Sequence, residues 1–565
     1  MRLLAVAALI VVGVAVSSPD VSSAAGGGVV PVSPTRVVDT RGSSPVGAFD
    51  GSGAALRVDV SSVVPVGAVA VAANVTVVSA VAPPEGGFVT VFDCGVRPDV
   101  SSLNFRSGDT VANAVVAPVS ADRAVCVYVY GVADVLVDVS GYVADGFAPV
   151  LPTRVVDTRG SSPVGAFDGS GAALRVDVSS VVPVGAVAVA ANVTVVSAVA
   201  PPEGGFVTVF GCGVRPDVSS LNFRSGDTVA NAVVAPVSAD RAVCVYVYGV
   251  ADVLVDVSGS FLDGVAPVEP TRVIDTRATP GAAVRGNGVI EVDVLGPLGR
   301  GPGTVAAAMV NLTVAETVAG TFGGYASVFP CGATPTTSTV NFITGRTVAG
   351  AALVPLTPRG TVCVHVVGRA EVLLDVSAVV PGTPMTVASP VLPEPVSAGI
   401  ASHSAIDSSW ERLIVIDPST STGYLSDGDR VLHTFIVSTG YGGLSGVPGS
   451  GGTPAGAHRI EMLARARPQE ILEWRRPTGR FADVFGEPAV TTGLIALDGL
   501  EERNRYSWER NVYIHGTNRL SILGRPGVSG GCIRVHPNDI YFLLDAIEEY
   551  PTGVYVLDRP WVRSR

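Results

Sequence analysis

Hydrophobic and polar positions alternate along most of the chain. Ala68–Val81 (AVAVAANVTVVSAV), Gly86–Phe92 (GGFVTVF), Arg123–Gly131 (RAVCVYVYG) and Asp134–Gly141 (DVLVDVSG) are short β-branched runs separated by Pro, Gly, Asp and Ser. That period of two predicts half-buried strands. No stretch before residue 400 has a helical period. The same runs return: PTRVVDTRGSSPVGAFDGSG opens at Pro34 and again at Pro152, and the copies differ only at Asp93 against Gly211 through Gly141. A third, diverged copy opens at Pro270 with PTRVIDTR. A repeat of this length in short strands predicts an antiparallel β-sandwich. The fold class expected is therefore mainly β, with repeats over 34–151, 152–269 and 270–381.

Two repeat features have a plain structural reading. Asn74, Asn192 and Asn311 match the glycosylation sequon but lie inside apolar strand runs, which predicts a structural role. Arg36, Asp39 and Arg41 of the opening motif are expected to satisfy one another as ion pairs. The Pro-, Ser- and Ala-rich segment 382–407 reads as a semi-extended linker. A separate domain over 408–560 follows, with two strands joined by a polar hairpin, a third strand, and an amphipathic helix in NDIYFLLDAIEEY capped by Asn538 or Asp539.

Cysteine parity narrows the chemistry. Cys94 and Cys126 stand 32 apart, as do Cys212 and Cys244, and Cys331 and Cys363, which predicts one disulfide per repeat. Each would stabilise its repeat by roughly 3–4 kcal/mol through loop closure. Cys532 is left over. The N-terminal MRLLAVAALIVVGVAVSSPDVSSA has one Arg and an apolar run too short to span a bilayer, the pattern of a signal peptide over 1–24. The protein is thus expected to be exported, without a transmembrane span once mature. A net charge of −12, with Arg as the only basic residue apart from His, argues against a nucleic-acid partner.

A lone thiol in an exported chain is an intermolecular link or a reactive group. His515, seventeen residues before Cys532 across a loop containing Gly524, Gly527, Gly530 and Gly531, is the candidate base for it. Unshielded backbone at Gly530 and Gly531 suits amides that stabilise an oxyanion. Arg534 would share a strand face with Cys532 and could hold a carboxylate.

These residues, IHGTN…SGGCIR, together with Val437–Gly440 (VSTG), Thr453–Ile460 (TPAGAHRI) and Thr491–Asn504 (TTGLIALDGLEERN), resemble the L,D-transpeptidase (YkuD-type) catalytic domain. The resemblance implies a cysteine acyltransferase acting on peptidoglycan stem peptides at the cell wall, forming 3→3 cross-links through a thioester. It implies Cys532 as nucleophile, His515 as proton donor and acceptor, the Gly516 carbonyl orienting His515, and Gly531 and Cys532 amides as the oxyanion hole. Arg534, Ser529 and Tyr513 would bind substrate, and no metal or organic cofactor is implied. Gly530 stands where the family usually has His, and Gly527 is an insertion. Hydrolysis of the same thioester, an L,D-carboxypeptidase, and a non-catalytic wall-associated spacer or adhesin are the alternatives. The repeats resemble modules of exported actinobacterial proteins and would bind wall polymer or act as spacers.

Overall fold

A computed structural model describes residues 28–559, apart from 42–44, 280, 286–287, 321–322, 334, 336, 387–391, 402, 429, 466–492, 518–522, 526 and 549. The N-terminal segment read as a signal peptide lies outside the described residues. Among the described residues, no helix is long and apolar enough to cross a membrane.

Each repeat is a sandwich of two antiparallel sheets, as its alternation requires. In the first, one sheet orders the strands Val29–Asp39, Val132–Val143, Ala70–Val81 and Val111–Pro118. The other orders Leu56–Asp59, Ala124–Tyr130, Gly87–Phe92 and Leu103–Phe105. Val75, Val77, Val89, Val127 and Val137 meet between them, fully or almost fully buried. The second repeat copies this arrangement, and the third adds a short strand, Val284–Arg285. The disulfides Cys94–Cys126, Cys212–Cys244 and Cys331–Cys363 are present. Arg36 grips buried Asp138 through Nε and Nη2 at 2.8 and 2.9 Å, while Arg41 pairs with Asp39. The opening motif is thus an internal ion-pair cluster.

The three repeats do not stand in line. Asn113 donates to the Asn192 side chain at 2.9 Å, Asn231 donates to Asn311 at 2.8 Å, and Asn74 donates back to the carbonyl of Ser338 at 2.8 Å. First joins second, second joins third, and third joins first: a closed ring. Its axis is dry. Ala70, Ala72, Ala188, Ala190, Ala307, Met309, Leu353 and Phe261, drawn from all three repeats, form one buried cluster. The asparagines of the sequons are thereby used as inter-repeat connectors.

The linker expectation needs correction. Glu394–Ala401 is an α-helix. Leu392 and Val396 are buried, with Ile400 beside them, against Val415, Tyr555 and Leu557 of the C-terminal domain. Their spacing of four is a helical stripe that the surrounding prolines masked.

The C-terminal domain is built on an eight-stranded sheet. Its order is Arg430–Ile436, Thr422–Asp427, Arg412–Asp417, Thr552–Val556, Gly456–Arg465, Gly493–Gly499, Tyr513–Gly516 and Ile533–Val535. The helix Pro537–Ile547 buries Ile540, Leu543, Leu544 and Ile547 against it. Pro537 takes the first helical position, so Asn538 and Asp539 fall inside the first turn and neither is the cap. Proline is suited to that place because its missing N–H would have no partner there. Asp539 instead meets His433 Nε2 at 3.0 Å.

Candidate active site

Cys532 and His515 share one side of the sheet because its last two strands run parallel, with His515 in register with Arg534. The two-residue period then puts Tyr513 and His515 on the face that carries Cys532 and Arg534. Cys532 packs against Leu494, Ala496 and Tyr513. His515 is buried, and its Nδ1–H donates to the Gly516 carbonyl at 3.0 Å, leaving Nε2 as the basic nitrogen. Burial lowers the imidazole pKa to about 4, against the opposing pull of the Gly516 bond, and the nearby Arg534 charge lowers it further. At neutral pH the ring is an uncharged base.

The thiol is half-buried and donates to the carbonyl of Asn511 at 3.4 Å, not to the imidazole. Desolvation raises its pKa above the ordinary value, and the Tyr513 backbone, Arg534 and Arg510 pull it partly back. The resting pair is therefore neutral thiol and neutral imidazole. General-base activation, rather than a standing thiolate, suits that state.

The turn before the thiol departs from expectation in two places. Gly531 has φ +123°, and its N–H donates to Ser529 Oγ at 3.2 Å, so this amide is not free for an oxyanion. Ser529 itself is buried, with its hydroxyl on the Cys532 carbonyl and its own N–H and C=O bound to Thr439 and Tyr441. Its hydroxyl holds the turn. A serine side chain bonding its own turn is a local preference that competes with outward contacts. Tyr513 is buried as well, its hydroxyl on the Asn511 side chain at 2.9 Å. It supports the sulfur from beside. Gly530 has open space where a side chain would stand.

Arg510 carried no signal in the sequence reading. Its guanidinium donates to the carbonyls of Ser445 and Gly452 at 2.9 and 2.7 Å, and it is one of two cations acting on Cys532. Only its place five residues before His515 could have drawn attention to it. His458 is occupied elsewhere: it is fully buried, with Gly456 O at 3.0 Å and Ser507 Oγ at 3.1 Å.

A mainly β domain following three β repeats, with one free thiol and one buried imidazole on a shared sheet face, defines the class of a small β-rich catalytic domain. Residues 411–556 match the YkuD family, the L,D-transpeptidase catalytic domain, so the chain carries an L,D-transpeptidase domain at its C-terminus. That domain implies an enzyme with peptidoglycan as substrate. The chain is also similar to solved structures of an L,D-transpeptidase from Mycobacterium smegmatis and one from Mycobacterium tuberculosis H37Rv. The first is 17% identical, covering 33% of this chain and 73% of that one, with a TM-score of 0.18. The second is 15% identical, covering 33% and 72%, with a TM-score of 0.19. At such scores the assignment rests on the family match alone. No curated protein matches the chain.

Proposed function

We propose that the protein is an exported peptidoglycan L,D-transpeptidase that forms 3→3 cross-links through a thioester on Cys532. The observation that supports this most directly is the shared face of Cys532, His515 and Arg534, with His515 Nδ1 tied to Gly516. On substrate binding the thiol turns from Asn511 to His515 Nε2, which takes its proton as sulfur attacks the carbonyl of the third stem residue. The imidazolium then gives that proton to the departing amine of the terminal D-alanine. A side-chain amine of a neighbouring stem attacks the thioester, loses its proton to His515, and the thiol is restored. The Cys532 amide serves as a backbone donor for the oxyanion, and Arg534 holds the donor stem's carboxylate.

Incubating the whole chain with tetrapeptide-bearing muropeptides tests this. Cross-linked dimers are the expected product. Tripeptide monomers alone would make the protein an L,D-carboxypeptidase, and no product would leave a non-catalytic wall module. A carbapenem, a strained acyl donor, should add its mass to the wild type and not to Cys532→Ala.

A further inference from the structure

A cavity of about 2780 Å³ lies where all three repeats and the catalytic domain meet. That is well above the few hundred to a thousand Å³ of a small-molecule site. One wall belongs to the first repeat. There Phe88 and Tyr130 lie half-buried and stacked, with centroids 5.3 Å apart and planes at 28°, and the Tyr130 hydroxyl donates to Glu85 at 2.7 Å. The lining also includes Thr434, Ile436 and Leu523 of the catalytic domain. Leu523 belongs to the segment joining His515 to Cys532.

The same sheet face meets three different surroundings in the three repeats. In the third, its counterparts are Tyr325, His365 and Val367, and there the face is docked: His365 lies 5.5 Å from the ring of Phe542, and Val367 packs on the catalytic-domain core. In the second, Phe206 and Tyr248 keep the stacked geometry at 5.3 Å and 29° but do not line this cavity. The first repeat is the one that lines the cavity with a stacked ring pair; the third lines it with Tyr325 and Val367 beside its docked His365.

The chemistry of the lining selects an occupant. Arg36, Arg41, Arg106, Arg285, Arg346 and Arg369 are offset by Glu85, Asp109, Asp227, Asp539 and Glu548, and several of these charges are already paired, as in Arg346–Asp227 at 2.8 Å. A nearly balanced wall gives no net attraction to a polyanion or a polycation. Flat ring faces with fixed carboxylate, amide and guanidinium groups around them suit a ligand with apolar ring faces and hydroxyl edges. We infer that the Phe88–Tyr130 face binds a neutral polysaccharide strand of N-acetylhexosamine type within this cleft, and that Phe206–Tyr248 is a duplicate of that site outside it. This rests on the reading of the C-terminal domain as acting on peptidoglycan, whose stem peptides such a strand would bring to the enzyme.

The test uses the whole chain and chitohexaose, a neutral β-1,4-linked N-acetylglucosamine hexamer, with binding followed by NMR. Carbapenem acylation of Cys532 in each variant verifies folding. Wild type should bind, Tyr130→Ala and Tyr248→Ala should each lose one class of site, and the double variant should bind at least tenfold more weakly. Tyr130→Ala alone should slow cross-linking of polymeric peptidoglycan while leaving turnover of free tetrapeptide unchanged. The inference is overturned if wild type ignores chitohexaose, if the double variant binds it unchanged, or if free stem peptide or poly(glycerol phosphate) occupies the Tyr130 face instead. Sugar binding with no acyl transfer would refute the catalytic reading and leave the sugar site standing. Acyl transfer with no sugar binding would do the reverse.

Discussion

The sulfur of Cys532 gives its hydrogen bond to the carbonyl of Asn511, at 3.4 Å, and the imidazole of His515 takes no part in it. Asn511 reaches that position with φ +54°, a left-handed conformation that asparagine tolerates better than most residues. Burial also holds the thiol protonated. Iodoacetamide should therefore alkylate native Cys532 slowly at pH 7, and the rate should still be rising above pH 9. A rapid reaction at pH 7, saturating below pH 7.5, would show a standing thiolate and contradict this resting state.

His515 should set the acid limb of activity. Its pKa is about 4, below the ordinary value of 6.5, so the neutral base form persists well into acid. In the free enzyme, the second-order rate of carbapenem acylation should fall with an apparent pKa near 4. A limb near 6.5 would mean that the imidazole is solvated in the working enzyme.

Much of this site was legible in the sequence, and the part that was not has a physical reason. Cysteine parity isolated Cys532, and the glycine-rich loop brought His515 back to it, because unequal pairing and turn chemistry are local properties of the chain. The inward turn of Ser529 and the Gly531 N–H could not be read, since both depend on backbone dihedrals within one turn. Arg510 was invisible because its partners, Ser445 and Gly452, lie 65 and 58 residues away. In the repeats the strand periodicity was sufficient for the sandwich. Ring closure was not legible, because alanines such as Ala72 and Ala190 on the axis look like ordinary strand residues until three copies meet.

Arg510 should matter twice over. It ties two loop carbonyls beside the Gly531 turn and contributes positive charge near the sulfur. Arg510→Ala should slow acylation about tenfold or more, at roughly 1–3 kcal/mol for a charged group's hydrogen bonds. Arg510→Lys keeps the charge and loses the fork, so it should recover only part of the rate. Equal rates in all three proteins would remove Arg510 from the site.

The ring depends on its asparagines. Asn192 accepts from Asn113 and donates to the Ser101 carbonyl at 2.8 Å, so Asn192→Ala leaves buried groups without partners. It should cost about 1–3 kcal/mol, seen as a lower unfolding midpoint in urea. The same hydrogen bonds should keep the sequons bare: secretion from a glycosylating host should add no glycan at Asn74, Asn192 or Asn311.

His365 offers a pH test of the seam between the third repeat and the catalytic domain. It is buried there, neither ring nitrogen has a hydrogen-bond partner among the described residues, and its pKa is lowered to about 3 by desolvation and by His433. The unfolded chain binds the proton near 6.5 and the folded one does not, so stability should rise with pH from about 3 to 6.5. His365→Leu should flatten part of that rise in urea unfolding measured across the window. An unchanged slope would mean that the seam opens before His365 is protonated.

The closed ring makes the three repeats protomers of a fused trimer. A covalent chain fixes the copy number that separate subunits would have to reach by concentration. Cutting the gene to one repeat would not yield a smaller version of the same object; it would yield a monomer presenting its share of the alanine-lined axis. Such a fragment has a route back to what it lost, because a near-identical copy of itself carries the complementary face.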